Sequence, residues 1–420
     1  MIPLQDLRED PDRFRLGARN KKQSAPVDEI LELDASARRL RTRVEQEQAE
    51  RRRASSAVRG KPTDEQMGRL SALKESIQAG EAELGDMETR LQSLLLYVPN
   101  PPDPSVPLGA DETESLPVRH WGEPPAFDFE PLPHHELGER LGIFDFERAA
   151  KISGARFAIL RGQGARLQRA LITWLLDVAT LEHGYSEVTP PSLVRRECMV
   201  GTAQLPKFED EAYRTDDDLF LIPTAEVPVT NLYRDEILDG ADLPICHVAH
   251  TSCWRREAGA AGKDTRGYIR LHQFDKVEMV RFVTPESSAD ELELLTHHAE
   301  TLLRRLGIHH RVLLLCTGDT GFAQAKTYDL EAWAPGMRRW LEVSSCSVYG
   351  DFQARRAGIR YRPAAGERPR FVHTLNGSGL GIPRVFDAIL ETYQGADGGV
   401  DVPEVLRPYM GGVTRLVPPG

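Results

Sequence analysis

The sequence predicts an α+β protein in which a long N-terminal helical hairpin precedes a larger mixed domain. In the first hundred residues, apolar side chains recur at steps of three and four, which is the seam of a coiled coil. Beyond a proline-rich linker, strand-like runs and amphipathic helices follow one another without the regular βαβ alternation of a parallel sheet. A chain of 420 residues has room for two or three domains with a sizeable core.

Composition indicates a soluble globular protein, with 40% hydrophobic and 28% charged residues. The five cysteines are odd in number and scattered, so we expect neither a disulfide framework nor a zinc site but a reducing cytoplasm. We find no signal segment, and the most apolar run (171–178) is far too short to cross a membrane. The net charge of −11 does not indicate a nucleic-acid binder, although a local basic face matters more than the total.

The N-terminal region predicts an antiparallel helical arm spanning about 27–98, preceded by a small cap over 1–26. A Gly60-Lys61-Pro62 break separates its two halves, and helices of roughly 35 residues would make a hairpin about 50 Å long. Gly80 is the one seam position expected to weaken the pairing. The seam residues are Ile30, Leu33, Ala37, Leu40 and Val44 in the first helix, and Leu70, Leu73, Ile77, Leu84, Met87, Leu91, Leu94 and Val98 in the second.

Charge on this arm is uneven. Between Arg38 and Lys61 there are nine basic residues and three acidic ones, whereas the second helix is mostly acidic. One interpretation is a solvated coiled coil that pairs only with itself or with a partner helix. The basic triplet near the tip favours a nucleic-acid backbone instead, because phosphate contacts need clustered cations. The candidate nucleic-acid-binding residues are Arg38, Arg41, Arg51, Arg52 and Arg53.

A proline-rich joint ends the arm. Residues 98–112 hold five prolines and can form neither a helix nor a central strand. We therefore place an N-terminal domain at 1–100, a linker at 101–112 and a second domain at 113–420. Within the second domain, the glycines of 161–167 lack the spacing of a Walker or Rossmann loop, and we predict a helix over 168–183 and a strand over 185–189.

A charged hairpin over 253–280 is the strongest sign of chemistry. Two strand-type runs (248–254 and 268–282) flank a glycine-rich loop at 259–266. Its four arginines (Arg255, Arg256, Arg266 and Arg270) suit phosphate, since a guanidinium offers paired planar donors to phosphate oxygens. The alternative is a solvated hairpin with ordinary surface charges.

These segments resemble, over essentially the whole chain, the bacterial seryl-tRNA synthetases, a class II aminoacyl-tRNA synthetase family. The resemblance implies an antiparallel sheet flanked by helices and a homodimer whose interface includes motif 1. The matching segments are EHGYSEVTPP (182–191) ending motif 1 (about 165–191), CWRREAGAAGKDTRGYIRLHQFDKVE (253–278) in motif 2 (about 253–280), TLNGSGLGIPRVFDAILETYQ (374–394) as motif 3, and the seryl-type segments LIPTAEVPVTN (221–231) and EVSSCSVYGDFQARR (342–356).

The activity that the resemblance implies is a serine–tRNA ligase, in which ATP activates L-serine and the seryl group passes to tRNA(Ser), with tRNA(Sec) as an open further acceptor. Both reactants of the first step are anionic, so the site must supply positive charge. Arg255 and Arg384 match the two catalytic arginines of the family. Mg²⁺ needs hard oxygen ligands, and Glu342 and Ser345 lie in the segment that carries this role.

The remaining site residues are also carried over from the resemblance. Read alone, Phe274 would be a packed strand residue, Thr224 to Glu226 a turn, and Glu278 a salt-bridge partner. The family's serine-binding positions correspond to Thr224, Ala225, Glu226, Arg255, Glu278 and Ser378. Its ATP-binding positions correspond to Arg255, Arg256, Glu257, Leu271, Phe274, Glu342, Val343, Ser344, Ser345 and Arg384.

Residues outside these sets receive structural interpretations. The adjacent histidine pairs at 134–135, 297–298 and 309–310 lack metal-ligand spacing and are predicted to be surface or capping residues. His272 is predicted to support its strand. Lys263 and Asp264 are predicted to contact the tRNA acceptor end or the incoming ATP.

Some positions depart from the family pattern. Trp254 and Gly381 replace the usual phenylalanine and alanine, and the SVYG run ending at Gly350 replaces an asparagine-containing version. These departures leave open a specialised second copy, for antibiotic self-resistance or for supplying seryl-tRNA to a biosynthetic pathway. A catalytically silent tRNA-binding relative would show damage at the arginines and glutamates named above, and all of these are intact.

Overall fold

The computed structural model describes residues 1–258 and 267–419. The chain divides into two compact units, Met1–Pro101 and Pro102–Gly420. The glycine-rich loop at 259–266, with Lys263, Asp264 and Arg266, lies outside the described residues. No helix in the described part of the chain combines the length and the apolar content that a membrane crossing needs.

Twelve α-helices occur within the described ranges, four of them in the first unit. They are α1 Leu4–Glu9, α2 Pro11–Asn20, α3 Val27–Ala57, α4 Asp64–Leu95, α5 His134–Arg140, α6 Phe146–Ser153, α7 Gly162–Leu181, α8 Arg196–Gly201, α9 Glu226–Thr230, α10 Ser288–Arg305, α11 Phe352–Ala357 and α12 Ile382–Thr392.

All of the described strands belong to the second unit. They are β1 Leu116–Trp121, β2 Ser186–Glu187, β3 Leu193–Arg195, β4 Leu219–Leu221, β5 Ile237–Asp239, β6 Ile245–Trp254, β7 Gln273–Val283, β8 His310–Leu314, β9 Lys326–Ala334, β10 Arg339–Gly350, β11 Arg360–Arg362, β12 Arg370–Phe371, β13 His373–Gly381, β14 Val400–Asp401 and β15 Arg415–Leu416.

The first unit is the predicted helical hairpin, formed by α3 and α4 behind two short helices. A capping box begins α4: the Thr63 side chain accepts from the Gln66 backbone N–H, and the Gln66 side chain accepts from that of Thr63. The seam is buried as predicted at Ile30, Ala37, Leu40, Val44, Ile77 and Leu91. Burying one thin stripe leaves the sides of both helices in solvent.

Gly80 has a different role from the predicted one. It is buried in the seam, and a Cβ atom built there would lie only 2.6 Å from Val44 Cγ2. The two helices therefore pack at a distance that only glycine permits. The expectation that Gly80 weakens the pairing considered helix propensity alone and missed this close approach.

The second unit is built on an eight-stranded sheet in the order β1-β8-β9-β10-β13-β7-β6-β2. Every neighbouring pair is antiparallel except β2 with β6, so the sheet has the predicted antiparallel character. Helices α7, α10 and α12 pack on this sheet around one large apolar core. Helix α7 contributes Leu171, Trp174, Leu175 and Val178, which share one helical face.

Several local predictions need correction. Helix α7 begins at Gly162 rather than at residue 168, and β2 covers only two residues of the predicted strand over 185–189. The second run of the charged hairpin becomes β7 at Gln273, so residues 267–272 precede the strand. The large apolar residues Tyr268, Ile269 and Leu271 made that stretch resemble a strand, but they are buried from a loop.

The prediction of surface histidines was wrong at three positions. His134 and His310 are fully buried and His298 is 8% exposed. His134 Nδ1 lies 2.8 Å from Glu391 Oε1, and the Nδ1 of His298 lies 3.2 Å from the hydroxyl of Tyr185. Buried imidazoles need such partners, and a sequence does not reveal partners that lie more than a hundred residues away.

Candidate active site

A cavity of about 420 Å³ lies over the centre of the main sheet. Its floor comes from β7, β13 and β10, which are adjacent in the sheet. Successive residues of a strand point to opposite faces, so alternate positions reach the cavity. On β7 these are Phe274, Lys276 and Glu278, while Val277 and Met279 between and beyond them enter the apolar core.

The other two strands show the same alternation. Ser345, Ser347 and Tyr349 of β10 line the cavity, and Asn376 and Ser378 of β13 lie beside them. Cys346 and Val348 of β10, and Leu375 of β13, belong to the core. The antiparallel register of β10, β13 and β7 therefore gathers polar side chains from three distant segments over one patch.

One end of the cavity contains two buried carboxylates, Glu226 and Glu278, which are 5% and 1% exposed. Glu278 accepts from Asn376 Nδ2 at 2.9 Å and from Ser378 Oγ at 3.4 Å, and Lys276 Nζ lies 2.6 Å from its Oε2. This carboxylate is held by three partners on the same floor. A buried charge needs such partners, since an unpaired one is very costly.

Glu226 begins α9 and reaches the cavity from the opposite wall. Gln353 Nε2 donates to its Oε1 at 2.5 Å, and Thr374 Oγ1 in turn donates to Gln353 at 2.7 Å. Burial raises the pKa of Glu226 to about 7, with a further contribution from the nearby Glu278 charge. When Glu226 is ionised, the two carboxylates carry one negative charge more than Lys276, the cation that pairs with Glu278, and this charge suits a ligand's ammonium group.

Arg255 lies between the two ends of the cavity. Its guanidinium carbon is 5.1 Å from the centre of the Phe274 ring, and its Nε donates to Pro223 O at 3.4 Å. Its backbone N–H donates to His272 O at 2.9 Å, and His272 Nδ1 lies 3.0 Å from Arg255 O. These contacts extend the β6–β7 ladder by one pair and fix the arginine, which agrees with the supporting role predicted for His272.

At the other end, charged groups pair with one another across the cavity. Arg270 Nη1 donates to Glu257 Oε2 at 2.7 Å. Arg384 Nη1 donates to Glu342 O at 2.9 Å and lies 3.1 Å from Glu342 Oε2. Arg384 lies in the first turn of α12, whose N-terminal dipole adds positive potential where Gly381 and Pro383 line the wall.

The same end fits a hard divalent cation. Glu342 offers a half-exposed carboxylate and Ser345 a hydroxyl, and behind Ser345 the Oδ1 atom of Asp329 is buried without a hydrogen-bond partner in the described structure. Burial, with the Glu342 charge, raises the pKa of Asp329. Mg²⁺ typically takes one or two carboxylates and completes its octahedron with phosphate oxygens and waters. Within the described residues, no group of three or more His, Cys, Asp or Glu side chains could hold a metal by itself.

A second cavity of about 490 Å³ adjoins the first and shares Thr224, Glu226 and Arg255 with it. Its own walls are mainly apolar and aromatic, with Phe208 and Phe322 among them. Lys207 Nζ lies 5.0 Å from the centre of the Phe322 ring. An aromatic wall beside a cation suits a nucleobase and its phosphate.

Most of the predicted site residues meet in the first cavity. Thr224, Glu226, Arg255, Glu257, Leu271, Phe274, Glu278, Glu342, Val343, Ser344, Ser345, Ser378 and Arg384 all line it. Ala225 instead belongs to a neighbouring apolar cluster. Arg256 is exposed, and its backbone N–H donates to Glu211 O at 2.9 Å. Neither of these two lines either of the cavities described above.

Sequence reasoning missed part of the lining. Lys276 and Asn376 each lie two residues before a predicted residue of the same strand, so strand alternation could have found them. Gln353, the partner of Glu226, comes from α11, and no pattern in the sequence connects it with residue 226. Gln204 and Gln324 also reach both cavities, from loops far apart in the chain.

The arm contains the remaining predicted contacts. Arg38 pairs with Asp34 at 3.0 Å and Arg41 with Glu88 at 2.6 Å. Arg51, Arg52 and Arg53 are exposed on α3, and no ion pair to them occurs among the residues that the structure describes. The triplet is therefore the part of the basic face that is most available to an external anion.

Comparisons with known proteins cover the whole chain. Residues 1–102 match the family model "Seryl-tRNA synthetase N-terminal domain", and residues 207–393 match "tRNA synthetase class II core domain (G, H, P, S and T)". A serine–tRNA ligase from Thermomicrobium roseum is 55% identical over 421 aligned positions, 99% of this chain and 95% of the relative.

Solved structures agree with this. A seryl-tRNA synthetase from Pyrococcus horikoshii, complexed with ATP, is 38% identical with a TM-score of 0.96, and all of both chains is covered. A cytoplasmic serine–tRNA ligase from Naegleria fowleri, in complex with AMP, is 30% identical with a TM-score of 0.88, covering 98% of this chain and 96% of that one. The predicted fold, a class II antiparallel sheet flanked by helices, is confirmed.

Proposed function

Because this chain belongs to the seryl-tRNA synthetase family, we propose that it activates L-serine with ATP and transfers the seryl group to the 3′ end of tRNA(Ser). Membership confirms the predicted class of enzyme, an aminoacyl-tRNA ligase. The observation that carries the proposal is the divided cavity: buried carboxylates that suit an ammonium group at one end, arginines and hard oxygen ligands at the other, and Arg255 between them.

The chemistry follows from that division. A carboxylate oxygen of serine attacks the α-phosphorus of ATP, the new O–P bond forms, and pyrophosphate leaves with the electrons of the broken bond. Arg255 supplies positive charge to the serine carboxylate and to the α-phosphate, and Arg384 to the outer phosphates. Arg255 acts at the reacting atoms and Arg384 at the leaving pyrophosphate, so the two arginines hold the attacking and leaving groups in line as well as neutralising their charge.

Selection of serine would come from the buried end. Glu226 and Glu278 receive the ammonium group, and Thr224 and Ser378 complete the polar lining. A pocket whose polar groups are satisfied only by the hydroxyl of serine rejects alanine, by up to about 10⁴–10⁵ in comparable sites. Threonine must be excluded by lack of room.

Phe274 and Glu257 are the proposed adenine contacts, through ring stacking and through the exocyclic amine. Glu342 and Ser345 would hold Mg²⁺, which would neutralise phosphate charge. The fit rests on the donor chemistry and on the buried, unpartnered oxygen of Asp329 behind Ser345. Asp329 would orient the Ser345 hydroxyl.

We assign the second cavity to the terminal adenosine of the tRNA. Its aromatic walls suit a base, and it shares Thr224, Glu226 and Arg255 with the first cavity, so a ribose hydroxyl lodged there would face the activated carbonyl. In the transfer step that hydroxyl attacks the carbonyl carbon, the bond from this carbon to the phosphate oxygen breaks, and AMP leaves with its phosphate accepting the hydroxyl proton.

The decisive experiment is ATP–pyrophosphate exchange with the purified enzyme against a panel of amino acids, with and without tRNA. We expect exchange with serine alone, independent of tRNA, and seryl-tRNA formation once tRNA(Ser) is added. Exchange with another amino acid, or none with serine, would contradict the proposal.

The arm is proposed to bind the tRNA backbone through Arg51, Arg52 and Arg53. Replacing all three by alanine should lower the rate of aminoacylation at subsaturating tRNA by about tenfold or more, and should make tRNA binding less sensitive to salt by about one unit of slope per lost contact. Serine-dependent exchange should not change, because no tRNA takes part in it.

A matched control is the R69A/R90A double variant. These two arm arginines pair with Glu50 and Glu29 at 2.7 and 2.6 Å, and exposed pairs of this kind contribute little. Equal losses of charging in the control and in the triple variant would show that the triplet has no special role.

Assembly and location complete the proposal. We propose a homodimer whose interface includes motif 1, as the resemblance to the family implies; Leu181, at the end of α7 within motif 1, is 81% exposed in the single chain. Five free cysteines support a reducing compartment such as the cytoplasm. The full-length likeness to serine–tRNA ligases does not favour the alternatives of a specialised copy or a silent relative.

A further inference from the structure

Tyr349 occupies a central place in the amino-acid end of the cavity. It lies on β10, is 3% exposed, and lines both cavities. Its hydroxyl donates to Asn376 Oδ1 at 2.8 Å, and it is also hydrogen-bonded with Glu226 and with Gln324. The residue belongs to the SVYG run at 347–350.

The hydroxyl connects the two carboxylates of the pocket. On one side it contacts Glu226 directly. On the other side it holds Asn376, whose Nδ2 donates to Glu278 Oε1 at 2.9 Å. A continuous chain of hydrogen bonds therefore runs from Glu226 through Tyr349 and Asn376 to Glu278.

Two acceptors in this hydrogen-bond network compete for the one hydroxyl hydrogen of Tyr349. A tyrosine hydroxyl has a single hydrogen, and both Asn376 Oδ1 and the Glu226 carboxylate can accept it. If Glu226 carries a proton, it donates to the Tyr349 oxygen, and Tyr349 donates to Asn376. If Glu226 is ionised, the tyrosine hydrogen is needed at Glu226 instead. The hydroxyl can rotate to serve either state of Glu226.

We propose that Tyr349 is a positioning residue for amino-acid binding, whose hydroxyl stabilises the ionised form of Glu226 and so sets the affinity for the substrate ammonium group. The inference rests on the proposed serine activation. Tyr349 acts through Glu226, because only the ionised carboxylate attracts an ammonium group.

The groups around Glu226 determine its pKa and therefore how much the Tyr349 hydroxyl matters. Among the described residues, Glu278 and Lys276 of β7, Tyr349 of β10 and the neutral Gln353 of α11 act on Glu226, and Arg255 lines the same cavity. Burial already raises the pKa of Glu226 to about 7, so protonated and ionised forms compete near neutral pH. Removing the tyrosine hydroxyl takes a donor from the ionised carboxylate and an acceptor from the protonated one. The bond to the ionised form is charge-assisted and is the stronger of the two, so the pKa of Glu226 should rise further.

The test is Tyr349→Phe, which keeps the ring and removes the hydroxyl, measured by serine-dependent pyrophosphate exchange from pH 6 to 9. At pH 6.5 we expect the KM for serine to rise about eightfold, while kcat and the KM for ATP stay within about twofold, because a pKa raised from about 7 by about one unit lowers the ionised fraction of Glu226 by that factor. The pH midpoint of kcat/KM for serine should move upward by about one unit. The two enzymes should converge toward pH 9, where Glu226 is ionised in both.

The matched control is Tyr328→Phe. Tyr328 is 7% exposed and donates to the Glu293 carboxylate at 2.7 Å, but that carboxylate belongs to α10 on the helix-covered face of the sheet. The control should leave the serine KM and its pH profile unchanged. Thermal unfolding of both variants reports any general loss of structure.

Three outcomes separate the possibilities. An unchanged serine KM and pH midpoint in Tyr349→Phe would overturn the inference while leaving the proposed function intact. A loss that is equal at every pH, or that affects ATP and serine alike, would also overturn it, because a merely structural role has that signature. If the unaltered enzyme shows no serine-dependent exchange, the proposed function itself fails.

Discussion

The charged side chains at the two ends of the active-site cavity differ in burial and in the partners that hold them. At the amino-acid end, Glu226 and Glu278 are almost fully buried and already hold hydrogen-bond partners. At the nucleotide end, Glu257 pairs with Arg270 and Glu342 with Arg384, and Arg384 and Glu342 keep 26% and 47% of their side-chain surface exposed. The first end is organised before substrate arrives, whereas the second must exchange its internal ion pairs for contacts with the ligand.

This difference indicates that substrate specificity and charge neutralisation are provided by different ends of the cavity. A small zwitterion offers few atoms for recognition, so its site gains from rigid, desolvated groups. A nucleotide triphosphate offers many charges, and Arg384, which pairs with the 47% exposed Glu342, can release that carboxylate at a lower cost than a buried pair would require.

The largest expected effect is at the junction of the two ends. Arg255→Ala should lower serine-dependent exchange by about 10³-fold, since removing one donor to the charge that develops in the transition state lowers the rate by about this factor. Both substrates should bind more weakly, because Arg255 serves the carboxylate and the α-phosphate. Near-normal exchange in a folded variant would contradict the motif 2 assignment and with it the division of the cavity.

The next effect distinguishes the ends directly. Glu226→Gln should raise the KM for serine by about 100-fold with little change in the KM for ATP, because a buried carboxylate is replaced by a neutral amide. Glu257→Gln is the counterpart and should raise the KM for ATP by about tenfold without affecting serine. If either variant alters both KM values equally, the two ends do not act independently.

A similar but smaller effect concerns the metal. Glu342→Gln should raise the Mg²⁺ concentration for half-maximal exchange by about tenfold, since a hard anionic ligand is lost. Glu286→Gln is a suitable control, because Glu286 pairs with Arg370 at the surface, away from the cavity lining. An unchanged Mg²⁺ requirement in Glu342→Gln would exclude this carboxylate as a ligand.

The smallest effect is a dependence on pH at one end only. The pKa of Glu226 is raised to about 7, so its charged form is present above that pH and is lost as the pH falls through it. We expect kcat/KM for serine to fall by up to tenfold per unit below pH 7, because kcat/KM reports the free enzyme. Serine binding measured by calorimetry should release protons near pH 7, and binding without proton release would show that Glu226 is already ionised.

The amino-acid end of the site could be predicted from the sequence only in part. Glu226, Glu278 and Ser378 were predicted from segments that resemble a known family, and strand alternation accounts for Lys276 and Asn376 beside them. The partner of Glu226, Gln353, could not be predicted, because it reaches the pocket through the packing of α11 rather than through a pattern in the chain.

The fold shows a similar limit. Seam periodicity predicted α3 and α4, since a long amphipathic pattern dictates a helix whatever surrounds it. Pattern alone failed at residues 268–272, where buried apolar side chains enter the core from a loop, and at His134, which is buried against Glu391. In each case the deciding partner lies far away in the sequence.

The Glu342–Arg384 pair has a consequence for which anions the enzyme can hold. The Arg384 guanidinium lies 3.1 Å from the Glu342 carboxylate, which balances its charge. A bare anion such as inorganic phosphate would have to displace Glu342 and leave that carboxylate without a counter-charge. A polyphosphate that brings its own divalent cation supplies the replacement, so we expect this end of the cavity to favour metal-bound polyphosphates over metal-free anions.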